Sequence, residues 1–193
     1  SQYHYFQIRK IFFTNTKFPY EKLEKASTKK EKKDLLTSYY NKFFTEEFTE
    51  LARNMDSREF LFEMESHELL LDMGFTLNDN GYELEMDAEI SRIYAVILEK
   101  DELINLSVEV YNPFYGNESL NLDEAKSRYD EILDSVHVAF YDKYRRYPEV
   151  VSSDEYGGSE DESYEFSYSV KANRNNIQKF IDTVFYVCKK VFF

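Results

Sequence analysis

Apolar side chains fall on every second residue in several stretches of this chain. Phe60, Phe62 and Met64 alternate within "REFLFEMES" (58–66), as a half-buried strand requires. "SHELLLDMG" (66–74) then predicts a short helix, begun by Ser66 and closed by Gly74. Phe75 and Leu77 lead into "NDNG" (78–81), and Tyr82, Leu84 and Met86 alternate beyond it. Asn80-Gly81 between such segments is a strong hairpin signal. A second hairpin is predicted from "RIYAVILE" (92–99) and "LINLSVEVY" (103–111), joined by "KDE". In the latter, Ile104, Leu106, Val108 and Val110 face one way, with Asn105, Ser107, Glu109 and Tyr111 facing the other. A last strand follows from the alternation of Tyr164, Phe166, Tyr168 and Val170 in 163–172.

Helical spacing fills the remainder. "YFQIRKIFF" (5–13) fits either a strand or a helix lead-in. Thr28 and Glu31 have the spacing of a capping box, and Leu36, Tyr40, Phe44, Phe48 and Leu51 form a stripe reaching about Asn54. Asn121 and Glu124 repeat the capping spacing ahead of Leu122, Ala125, Tyr129, Ile132, Val136 and Phe140, in a helix ending before Pro148. Ile177, Phe180, Ile181, Val184 and Cys188 define a C-terminal helix over about 174–191. The expectation is one α+β domain over 1–193. It has an antiparallel meander of five or six strands, and three longer helices packed mainly on one face. The opposite sheet face is then a candidate binding surface.

Charge changes this picture more than composition does. Tyr and Phe number 17 each, but Lys, Asn, Phe, Tyr and Ile rise together in AT-rich genomes, which discounts the aromatics as a functional signal. The formal charge is −13. Residues 1–58 carry 12 basic against 8 acidic residues, and residues 59–193 carry 12 against 29. The two segments therefore stand at +4 and −17. An acidic body of this kind repels phosphate backbones and anionic lipids and steers basic partners toward itself. "KKEKK" (29–33) is the basic exception and reads as a solvated first helical turn. No run approaches the roughly 18 apolar residues of a membrane span. The chain begins at Ser1, which fits a removed initiator methionine, a cloning remnant, or a cut after a signal or anchor segment. The first leaves it cytoplasmic; the last makes it extracytoplasmic and membrane-anchored.

Candidate chemistry thins out on inspection. The single Cys188 allows no internal disulfide and sits among Val184, Val187 and Val191, as a small buried hydrophobe. His4, His67 and His137 are far apart and outside any HExxH pattern, so no zinc ligand set is encoded. "SSDEYGGSEDESYEF" (152–166) holds six carboxylates and two adjacent glycines and invites a calcium reading. With Asp154 at position 1 of an EF-hand loop, Tyr156, Gly158 and Ser159 fall at 3, 5 and 6, and only Glu165 at 12 fits. The EF-hand register fails. Nucleophile elbows and phosphate loops are missing too, because Gly157-Gly158 lies among acids that repel phosphate. Asp130, Glu131 and Asp134 form close carboxylate pairs able to run hydrolase chemistry, but 37 acidic residues produce such pairs by chance.

Recognition is the chemistry left, and no cofactor is implied. The stretch 152–166 offers Asp154, Glu155, Tyr156, Glu160, Asp161, Glu162 and Tyr164 as contacts for a basic protein, with Glu109 and Tyr111 as further candidates on the polar sheet face. Carboxylates steer encounter, and tyrosines supply rigid contact area. In kind, the profile resembles the small, acidic, motif-poor immunity proteins that low-GC bacteria keep against their own toxins. That likeness rests on charge and composition across the whole chain, not on a residue motif. It implies a non-enzymatic inhibitor that neutralises a toxin by covering a surface. Two alternatives stand beside it: a phage-encoded inhibitor of a defence nuclease that partly imitates DNA, and a carboxylate-based hydrolase.

Overall fold

The structure is a computed structural model, and it describes residues 22, 25–40, 57–78, 81–86, 92–114, 119–152 and 163–192. Of the expected helix reaching about Asn54, residues 41–54 with Phe44, Phe48 and Leu51 lie outside these residues, as does the whole of 5–13. In chain order the elements are α1 (Lys29–Tyr40), α2 (Ser57–Asp72), β1 (Thr76–Asn78), β2 (Gly81–Leu84), β3 (Ile93–Leu98) and β4 (Leu103–Tyr111). They continue as α3 (Leu122–Tyr144), β5 (Glu149–Ser152), β6 (Ser163–Lys171) and α4 (Arg174–Phe192). The strands form one antiparallel sheet in the order β1-β2-β3-β4-β6-β5, so the layout is α+β as expected. The described residues gather into two compact units, one drawn from the chain up to Glu83 with Val96–Ile104, the other from Leu84–Ala95 with Asn105–Phe193.

In the first unit the capping box is realised in full. Glu31 N–H donates to Thr28 Oγ1 at 3.1 Å, and Glu31 Oε2 accepts from the N–H groups of Ser27 and Thr28. Those donors, led by the Ser27 backbone, hold the Glu31 carboxyl below its ordinary value. Three helix-terminal N–H groups are satisfied within one turn.

The segment 58–66 departs from expectation. It is not a strand but the first half of α2, which runs unbroken to Asp72. Among the described side chains of α2, the buried positions Glu63, Ser66, His67 and Leu70 recur at three- and four-residue spacing, and three of the four are polar. Polar residues at such enclosed positions interrupt an apolar helical stripe, so the alternation of Phe60, Phe62 and Met64 suggested a strand instead. Neither Gly nor Pro interrupts 57–72. The helix ends where expected. Gly74, at φ 95°, donates to the Leu71 carbonyl at 3.1 Å, and Phe75 donates to Leu70 at 3.0 Å. These two bonds are a Schellman motif, with Phe75 and Leu70 both buried.

The first hairpin forms where Asn80-Gly81 signals it. Asn78 pairs with Gly81, which opens β2 at φ 127°. That angle favours glycine.

In the second unit, Asn121 caps α3, its Oδ1 accepting from Glu124 N–H at 2.7 Å. The Glu124 carboxylate turns to Arg128 at 2.9 Å instead of closing the box. Of the expected α3 stripe, Tyr129, Val136 and Phe140 are buried, while Leu122 is exposed. Phe140 stacks on Phe166 of β6 at 6.1 Å and on Phe180 of α4 at 6.2 Å, locking two helices to one sheet face. The hydroxyl of Tyr129 donates to the Val110 carbonyl. Strand β5 went unforeseen because Val150-Val151 is too short a pattern to register beside Pro148.

Candidate functional site

The polar side of this second unit's sheet can be built residue by residue. Asn105 Nδ2 donates to Ser169 Oγ at 3.1 Å, which puts the odd-numbered residues of β4 and β6 on one face. The β5–β6 register pairs Glu149 with Ser167, Val151 with Glu165, and Ser152 with Tyr164. Glu109, Tyr111, Glu149, Val151 and Glu165 therefore share that face, because side chains alternate along a strand. Ser107 and Ser167 are buried, whereas Tyr111 and Val151 stand 55% and 56% exposed. Because β4 and β6 are antiparallel neighbours, the Glu109–Tyr111 end of β4 lies beside the Ser163–Glu165 end of β6. That is the end of the hairpin from which residues 153–162 depart.

Tyr111 is tied into this corner. Burial, then hydrogen bonding to Glu109, then the charges of Glu109 and Tyr94, push its hydroxyl up to about 12. It stays a neutral donor at any ordinary pH. A fixed tyrosine beside carboxylates makes rigid, amphipathic contact area.

The other nominated residues fare differently. Asp154, Glu155, Tyr156, Glu160, Asp161 and Glu162 lie in 153–162, outside the described residues. Tyr164 is half-buried on the helix side of the sheet, its ring 5.9 Å from Tyr129, and so lies opposite Glu109 and Tyr111. Its alternation with Phe166 and Tyr168 already indicated that side. Glu149, Val151 and Glu165 were missed; Glu165 could have been found from the same alternation, and Glu149 and Val151 only with β5 in hand.

Two further features escaped sequence reasoning. On the outer side of α3 and its exit, Val138 and Tyr147 are each 65% exposed, and the rings of Tyr141 and Tyr147 lie 4.7 Å apart. In the first unit, His67 is not at a helix start but fully buried inside α2, its Nδ1 2.7 Å from the Tyr82 hydroxyl. Beside it, burial and the charge of Asp72 push Glu68 up to about 7. Spacing in the sequence gives no hint of either, since both depend on which residues the fold encloses.

For chemistry, Cys188 is buried, and that burial raises its thiol. His137 is lowered by burial, partly countered by Asp134, and packs edge-on against Phe166 at 5.1 Å. Asp130, Glu131 and Asp134 are all exposed on α3. Among the described residues, no group of three or more His, Cys, Asp or Glu side chains could hold a metal ion, and no helix is long and apolar enough to cross a membrane. No protein-family model, curated protein or solved structure matches the chain.

Proposed function

We propose that this chain is a non-enzymatic, acidic protein-binding inhibitor that covers a basic surface on a partner protein, as an immunity protein covers its toxin. The observation that supports this reading best is a convergence. Exposed Tyr111 and its neighbour Glu109 share a face with Glu165 and Val151, at the end of the sheet where the five carboxylates of 153–162 leave the β5–β6 hairpin. Long-range steering by the carboxylates brings the partner in, and the fixed tyrosine supplies desolvated contact once it has docked.

Co-expression with the product of each adjacent reading frame tests this. One product is expected to arrest growth alone, to be rescued by this chain, and to form a complex with it. Reversing Asp154, Glu155, Glu160 and Asp161 to Lys slows association at least tenfold, and Tyr111→Ala speeds dissociation by about tenfold, since a central interface tyrosine is worth roughly 1–2 kcal/mol or more. Rescue without complex formation, or binding indifferent to both variants, overturns the reading.

A further inference from the structure

On one side the sheet ends in β5. Among the described residues no strand lies beyond it, so alternate N–H and C=O groups of Glu149–Ser152 point away from β6. Sheets commonly guard such an edge with lysine, an internal proline or a bulge. In β5 Pro148 stands before the strand, no lysine lies in it, and the register runs unbroken from Glu149–Ser167 to Ser152–Tyr164. The edge of β6 past this point is covered instead. There Arg146 Nη2 donates to the Ser169 carbonyl at 3.4 Å, its guanidinium 5.0 Å from the centre of the Tyr168 ring.

Both faces of the β5 edge expose apolar surface. On the helix side, Phe166 pairs with Val150 and packs against His137, and the Tyr147 ring lies 6.1 Å from His137 and 4.7 Å from Tyr141. Tyr147 and Tyr141 are both exposed. On the other face Val151 is exposed, with Glu149 and its partner Glu165 beside it. An added strand has the matching form, because its side chains alternate between the two faces while its main chain bonds the edge.

Charge selects the occupant. Residues 147–167 hold seven carboxylates, five in 153–162 with Glu149 and Glu165, and no lysine or arginine. A second copy would bring two such segments together in chains of −13 each, so symmetric edge-to-edge pairing is opposed. A basic strand gains where a copy loses.

We infer that β5 receives an extended basic segment of the partner protein, which joins the sheet as a further strand with apolar side chains on Tyr141 and Tyr147 and cations beside Glu149 and Glu165. This rests on the basic partner proposed above and adds how it is held. Main-chain hydrogen bonds supply affinity, and the alternation of side chains supplies register.

Titration of the ¹⁵N-labelled chain with a capped heptapeptide alternating lysine and valine tests this without the partner. Saturable shifts are expected along Glu149–Ser152 and at Tyr147, with slowed hydrogen exchange at alternate amides of β5. The same peptide N-methylated throughout keeps its charge and loses its main-chain donors, and should bind at least tenfold more weakly. E149K/V151K guards the edge with lysine and should cost at least tenfold. L122K/D123K, at the first turn of α3, makes the same formal change of +3 and should cost far less. All four positions are exposed, so both variants keep the fold, as spectra unchanged elsewhere verify. Equal binding of the methylated peptide, or equal loss in the two variants, would reduce the effect to net charge and overturn the inference. A dimer of the parent chain that E149K/V151K dissolves would overturn it too, by assigning the edge to a second copy. An adjacent-frame product that binds E149K/V151K as tightly as the parent sinks the docking mode and leaves the inhibitor standing. Peptide addition at β5 with no adjacent product bound does the reverse.

Discussion

At the scale of single residues, Glu68 carries a clear consequence. Its side chain is 11% exposed, and burial with the nearby Asp72 charge moves its carboxyl from the ordinary 4.5 up to about 7. A carboxyl raised in the folded state favours folding while protonated. Its contribution is thus fully present below about pH 4.5 and is lost as pH rises to about 7. The loss amounts to roughly 3 kcal/mol for a shift of this size. Glu68→Gln cannot ionise, and is expected to raise unfolding free energy by about that amount at pH 8 and to change it little at pH 4.5. Urea denaturation at the two pH values measures this; parallel pH dependence in the two proteins would show that Glu68 does not titrate with folding. This residue was invisible in the sequence because its pKa depends on enclosure, and enclosure follows from α2 facing inward with Glu63, Ser66 and His67.

Whole elements were more legible wherever their ends are governed by local chemistry. Asn121 places its side chain on Glu124 N–H, Thr28 exchanges bonds with Glu31, and Gly74 closes α2, all within four residues of chain. Such signals need no knowledge of tertiary packing. Hydrophobic alternation likewise placed β4 and β6, whose inward residues Ile104, Leu106, Val108, Val110, Phe166, Tyr168 and Val170 are buried. It failed in α2, where Glu63, Ser66 and His67 are enclosed, and in β5, where the pattern is four residues long. The capping bond of α3 has a measurable size. Asn121→Ala removes the acceptor for Glu124 N–H at an exposed helix start and is expected to cost about 1 kcal/mol. Equilibrium denaturation in urea should show a lower midpoint with the slope unchanged; an unchanged midpoint would mean that solvent satisfies the N–H equally well. Replacement by Ser or Asp should restore most of the loss, since either provides the same acceptor.

At the scale of the whole molecule, charge is divided unevenly along the chain. Most of the negative charge lies in residues 59–193, which stand at −17, and it was fully legible in the sequence. Reversing Asp154, Glu155, Glu160 and Asp161 to Lys moves the formal charge from −13 by +8 to −5. A basic partner then loses most of its steering, and association in 50 mM salt should slow by about tenfold or more. The deficit should shrink toward 0.5 M salt, where exposed charges beyond a few ångströms are screened. Stopped-flow association across a salt series reads the effect. An association deficit that persists undiminished in high salt would mean that the four carboxylates act by direct contact and not by steering.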